Sequence, residues 1–148
     1  MIGVIGAGEV GPAILKVAEE VGRLIAERQA VLVCGGLGGV MEASARGARA
    51  GGGITVGILP QNHTGGANPF IEIPIATGFG EGRNVIIART ADALIAVGGE
   101  YGTLSEIALG LKMGKPVVGI RSWDIRGIIK TESAEEAVRK AFEMLDLR

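Results

Sequence analysis

Residues 1–15 read MIGVIGAGEVGPAIL. Ile2–Ile5 is an apolar run of strand length, Gly6, Gly8 and Gly11 then spell G-x-G-x-x-G, and a helical pattern starts directly after them. A strand, a glycine turn and a helix in this order form the first half of a βαβ unit, which points to an α/β fold. A dinucleotide fingerprint requires one more component, an Asp or Glu about 20 residues on at the end of the second strand, where it holds the ribose hydroxyls. Here the second strand, AVLVCGG, ends in Cys34, Gly35 and Gly36, and Glu27 lies before it on the preceding helix. The ribose clamp is missing. A chain of 148 residues also leaves no length for the substrate domain of an ordinary dehydrogenase.

Outward from this stretch, strand-length apolar runs recur at Ala30–Cys34, Ile54–Leu59, Ala93–Val97 and Val117–Ile120, with helical spacing between most of them. The alternation predicts a parallel sheet covered by helices. The first helix is expected over about 10–28, with Pro12 in its first turn and Ile14, Leu15, Ala18, Val21, Leu24 and Ile25 as the inward stripe. A second, over about 40–50, is lined by Ala43, Ala45, Gly47 and Ala48 and can therefore approach the sheet closely. Ser133 and Glu136 form an S-x-x-E capping box ahead of an amphipathic final helix. The stretch PQNHTGGANPF reads as an irregular loop, and IEIPIAT after it as a short extra strand interrupted by Pro74. No repeat or linker divides the chain, so residues 1–148 are expected to form a single domain.

With 47% hydrophobic and 21% charged residues, the composition is that of a folded globular chain. No apolar stretch approaches the roughly 20 residues of a membrane span. A net charge of −1 argues against a nucleic-acid partner, because a duplex-binding surface carries a basic excess. The first residues lack the basic, apolar and small-residue segments of a signal peptide, so a cytoplasmic location and no membrane partner are expected. Cys34 is the only cysteine and His63 the only histidine, which leaves no disulfide and no zinc cluster within one chain. We expect no metal site. Cys34 reads as a core residue, His63 as a loop histidine, and Met41 as a helix-core residue with some claim to a ligand ring.

The 26 glycines far exceed the roughly ten that average usage would give. They cluster where apolar runs end, in the turns GAGEVG, GGLGG, GFGEG and GGEYGT. In a parallel sheet the strand C-termini share one edge, so these turns can converge on one ligand, and glycine amides beside helix N-termini favour phosphate or a similar anion. The candidate ligand-binding residues are Gly6, Gly8, Gly35, Gly36, Gly38, Gly39, Gly99, Gly102 and Thr103.

The segments CGGLGGVMEAS (Cys34–Ser44), ANPF (Ala67–Phe70), GEGRN (Gly80–Asn84) and ADALIAVGGEYGTLSEIALGLKMGKPVVG (Ala91–Gly119) resemble LONELY GUY-type proteins. More closely, they resemble the short branch that includes molybdenum cofactor carrier proteins. The resemblance spans Ile2 to Ile120. It implies a three-layer Rossmann-like α/β fold, a mostly parallel twisted sheet with helices on both faces, and a homo-oligomer built on dimers. Members are often labelled lysine decarboxylases, but a pyridoxal-phosphate enzyme needs a Schiff-base lysine and a pyridinium partner. Lys112 and Lys115 read instead as helix-end cations.

Characterised relatives cleave nucleoside 5′-monophosphates into base and ribose 5-phosphate, and need no cofactor for it. Their motif P-G-G-x-G-T-x-x-E falls on Gly98 to Glu106, with Gly98 in place of the proline and Glu100 in place of the second glycine. By resemblance, Arg83 and Glu106 form the catalytic centre. Glu106 would bind ribose hydroxyls or orient water, and Arg83 would stabilise developing charge. Thr103 to Glu106 is also a T-x-x-E capping box, which gives Glu106 a second, structural role. A carboxylate at Glu100 would repel a phosphate unless directed away. Two function classes therefore stand side by side: a phosphoribohydrolase, and a non-catalytic carrier of molybdenum cofactor or a related phosphorylated pterin. Both take a small phosphorylated ligand.

Overall fold

A computed structural model describes residues 1–147. The strands are β1 (Ile2–Ile5), β2 (Leu32–Cys34), β3 (Thr55–Leu59), β4 (Ile73–Ala76), β5 (Ala93–Val97), β6 (Val117–Ile120) and β7 (Ile129–Thr131). The helices are α1 (Pro12–Glu27), α2 (Val40–Ala50), α3 (Arg83–Thr90), α4 (Tyr101–Lys112) and α5 (Ala134–Asp146). All strand pairings are parallel, in the order β4-β3-β2-β1-β5-β6-β7. Strand order reverses at β1, between β2 and β5. This is the switch point outside which α/β proteins hold ligands.

The strands β1, β2, β3, β5 and β6 are buried on both faces, as their continuous apolar runs require. On one face Val4, Cys34, Ile95, Val97 and Ile120 pack with Ala18, Val21 and Ile25 of α1, Val40 and Ala43 of α2, and Ala137 and Val138 of α5. On the other, Ile5, Val33, Leu94 and Ala96 pack with Ile87 and Ala88 of α3 and Ile107 of α4. The helix-covered parallel sheet expected from the pattern, and the three-layer arrangement implied by the resemblance, are observed. Pro74 is accommodated because β4 is an edge strand, with only β3 as neighbour. β7 carried no recognisable signal, because three residues are too short to show a period. No helix among the described residues is long and apolar enough to cross a membrane.

Ala43 and Ala48 of α2 pack with the sheet as expected, but Gly47 serves a different surface. Gly47 faces the backbone of α1 rather than the sheet, and Gly22 of α1 faces the backbone of α2 at Ser44. The helices touch main chain to main chain, which side chains larger than hydrogen at these positions would prevent.

The final helix begins as predicted. Ser133 Oγ accepts from the Glu136 N–H at 3.2 Å, while Glu136 Oε2 accepts from the Glu132 N–H at 3.0 Å, so the return bond lands one residue before the cap. Ser133→Ala is expected to lower stability by about 1 kcal/mol, as a reduced urea midpoint at unchanged slope.

Candidate functional site

The turns after β1, β2 and β5, together with the start of α3, enclose a cleft of about 760 Å³ at the switch point. Gly6 and Gly8 come from the first turn, Gly35 and Gly38 from the second, and Gly102, Thr103 and Glu106 from α4. Arg83 and Asn84 enter from α3. The sequence-predicted pair Arg83 and Glu106, 23 positions apart in the chain, thus meets in one cavity with most of the predicted glycines.

Gly36, Gly39 and Gly99 lie outside the lining and have backbone roles. A Cβ on Gly36 would strike the Leu59 side chain at 2.6 Å, and one on Gly39 would strike the Ala7 carbonyl oxygen at 2.2 Å. Gly39 is the N-cap of α2 and brings Val40 close enough to donate its N–H to Ala7 O at 3.0 Å, which locks the first two turns together. Gly6 is held free of a side chain by Val40, whose atoms would lie 2.6 Å from its Cβ. Gly11 meets nothing within 4 Å. In a dinucleotide fingerprint the third glycine allows close helix–strand packing. Gly11 has no such neighbour, which agrees with the missing ribose acid.

The departures at Gly98 and Glu100 have one conformational origin. Gly98 has φ +60°, whereas proline is fixed near −65°, so the chain leaves β5 along a path that the family's proline could not take. Gly99 follows at φ +128°, and Glu100 becomes the N-cap of α4 without a side-chain cap bond. The first N–H groups of α4 consequently have no intrahelical acceptor, and Gly102 and Thr103 bring them to the cleft wall. Glu100 lines the same cleft. Thr103 stands inside α4 rather than at its cap, so the T-x-x-E segment is not a capping box and Glu106 has no capping role.

Glu106 is 7% exposed. Burial pushes its carboxyl up to about 8, against the partial pull of the Arg83 charge. The shift favours the neutral acid, a hydrogen-bond donor, at neutral pH. Arg83 is half-buried, and burial lowers its guanidinium below the ordinary value while Glu106, Cys34 and Glu81 oppose the shift. Its Nη1 donates to Asn84 Oδ1 at 2.9 Å, and its Nε is buried without an acceptor among the described residues. A cation at the first position of α3 opposes that helix's dipole, so an anion in the cleft would balance the charge.

Several contributors carried little signal in the sequence. Met41 lines the cleft beside Leu37 and supplies an apolar floor; its sulfur would lie 2.6 Å from a Cβ on Gly35. Asn68 is buried in the PQNHTGGANPF loop: its N–H donates to Gly36 O at 2.9 Å and its Nδ2 to Leu37 O at 2.8 Å. That amide pins the loop to the second glycine turn. Glu9 and Glu81 join Glu100 in the lining, so carboxylates share the cleft with Arg83.

The remaining candidates have structural roles. Cys34 is fully buried, receives the Gly36 N–H on its sulfur at 3.4 Å, and is pushed by burial up to about 12, so it is not a thiolate nucleophile. His63 Nδ1 accepts the Gly65 N–H at 3.1 Å and shapes the loop. Lys112 ends α4, whereas Lys115 caps α3 by donating its Nζ to Arg89 O at 2.6 Å and to Ala91 O.

Comparison with known proteins agrees with this architecture. An uncharacterised protein of Archaeoglobus fulgidus is 54% identical over 138 residues, covering 93% of this chain and 91% of its own. The molybdenum cofactor binding protein of the phototrophic bacterium Rippkaea orientalis superposes with a TM-score of 0.92 at 37% identity, over 97% of this chain and 96% of its own. The molybdenum cofactor carrier protein of Chlamydomonas reinhardtii superposes with a TM-score of 0.87 at 33% identity, over 99% of this chain and 98% of its own. The SLOG cluster4 family model matches residues 1–146, and the chain belongs to that family.

Proposed function

We propose that this protein is a carrier that holds molybdenum cofactor, or a related phosphorylated pterin, in the cleft without turning it over. The observation that carries the proposal is Arg83, a half-buried guanidinium in a cleft whose wall includes the uncapped start of α4. A phosphate would take these donors. The apolar side chains of Leu37 and Met41 suit a flat ring. The rim carboxylates Glu9, Glu81 and Glu100 suit a pterin better than a bare phosphate, because a pterin carries ring N–H and amino donors that a carboxylate accepts. The identity to the two molybdenum cofactor proteins over nearly the whole chain supports the same reading. It extends to a cytoplasmic homo-oligomer built on dimers, supported by the exposed Ile73, Ile75, Phe79 and Val85 on β4, on α3 and between them.

A second reading, hydrolysis of a nucleoside 5′-monophosphate, is favoured by the protonated Glu106 beside Arg83, since a neutral carboxylic acid can protonate a departing base. One experiment separates the two. Purified protein is incubated with molybdenum cofactor freshly released from a molybdoenzyme and, separately, with nucleoside 5′-monophosphates, following thermal stability and product release. The carrier reading expects a rise in Tm with cofactor and no free base or ribose 5-phosphate. Arg83→Ala is expected to weaken cofactor binding roughly 10- to 100-fold, the loss of charge-assisted hydrogen bonds. Absence of a cofactor-dependent shift would reject the carrier reading, and release of base would establish the hydrolase.

A further inference from the structure

Arg83 does not hold its place alone. Asn84, the next residue on α3, is 9% exposed, and both ends of its amide are engaged. Its Oδ1 accepts Arg83 Nη1 at 2.9 Å and its Nδ2 donates to Ser105 Oγ at 3.2 Å. Ser105 Oγ in turn donates to Gly102 O at 2.6 Å, in the first turn of α4. A continuous chain of hydrogen bonds therefore runs from the guanidinium on α3 to the backbone of the helix whose start lines the opposite side of the cleft. Without it, a long arginine side chain carrying a buried, unsatisfied Nε would gain by swinging its head to water. Asn84 opposes that motion. A buried asparagine serving only the packing of α3 on α4 would need no bond to the guanidinium.

We infer that Asn84 is a positioning residue: it anchors the Arg83 guanidinium in the cleft and couples it, through Ser105, to the start of α4. The inference rests on the proposed ligand role of Arg83 for its functional meaning, but not for its test. Arg83 is the cation acting on the Glu106 carboxyl, and the neighbouring Cys34 stays a neutral thiol through the accessible pH range. The titration of Glu106 therefore reports where the guanidinium sits.

The experiment follows the side-chain carboxyl of Glu106 by NMR in protein labelled with ¹³C-glutamate, assigned by its loss in Glu106→Gln. Wild type, Arg83→Ala, Asn84→Ala and Ser105→Ala are titrated with full unfolding curves for each. Removing the Arg83 charge raises the Glu106 midpoint, by roughly half to one pH unit. Asn84→Ala is expected to reproduce at least half of that rise, and Ser105→Ala a smaller rise in the same direction. An unchanged midpoint in folded Asn84→Ala would overturn the inference, because a purely structural asparagine leaves Arg83 where it is. Should Asn84→Ala fail to fold, Ser105→Ala decides, with an unchanged midpoint again overturning it. Binding of molybdenum cofactor to the same variants is read separately: if the midpoints move as expected while no variant, nor wild type, binds cofactor, the positioning role stands and the carrier reading falls.

Discussion

Gly22→Ala and Gly47→Ala are each expected to destabilise the protein by about 3–5 kcal/mol. A Cβ on Gly22 would lie 1.9 Å from Ser44 O, and one on Gly47 would lie 1.9 Å from Glu19 O. Both obstacles are carbonyl oxygens inside regular helices, so no rotamer change relieves the overlap and α1 and α2 must separate. Separation would pull Val21 and Ile25 away from Val40, Ala43 and Ala48, all of which are fully buried in one cluster. A domain of this size has only about 5–15 kcal/mol of stability in total. Urea unfolding of each variant against Gly11→Ala provides the check, since a Cβ on Gly11 meets nothing within 4 Å and that change is expected to stay within about 1 kcal/mol. Equal midpoints for all three would show that the two helices are free to move apart.

Glu106→Gln is expected to abolish most of a pH-dependent loss of stability in the wild-type protein. The Glu106 carboxyl titrates at about 8 in the folded chain and near the ordinary 4.5 when unfolded. Below 4.5 both states carry the proton and the contribution is fully present. Between these values the unfolded chain has released a proton that the folded chain retains, so stability falls with rising pH, by up to about 1.4 kcal/mol per pH unit. Above 8 both states are ionised and the loss is complete. Glutamine preserves shape and cannot ionise, so the difference in unfolding free energy, variant minus wild type, should climb by several kcal/mol from about pH 5 to pH 8. Using the difference removes the exposed carboxylates, such as Glu20 and Glu143, whose arginine partners shift them the other way. Parallel curves for the two proteins would mean that Glu106 is ionised in the fold.

The architecture was readable because it rests on composition and period. Apolar runs such as Ala93–Val97, each followed by glycines and a helical stripe, specify buried parallel strands almost irrespective of partners, and the Ser133–Glu136 cap is a local hydrogen bond within one turn. β7 escaped because three residues carry no period.

For the site, the family resemblance pointed to Arg83 and Glu106, and the three-dimensional packing brought them into one cavity. Which glycines face the cleft could not be read from the chain, because Gly35 and Gly36 are neighbours with identical composition and opposite surroundings, one over Arg83 and one over Leu59. Nor could the T-x-x-E segment be separated from a capping box, since that depends on where α4 begins, and the positive φ at Gly98 and Gly99 sets that point.

By itself, then, the sequence determined the helix-covered parallel sheet apart from β7 and the glycine turns gathered at one sheet edge, which follow from short-range pattern and the hydrophobic effect. The tertiary structure alone decided that Glu106 is a buried carboxyl whose pKa burial raises, that Arg83 is tied by Asn84 to the start of α4, and that Gly22 and Gly47 join α1 to α2. Each of these depends on burial or contact between residues distant in the chain, and neither quantity exists until the chain is packed.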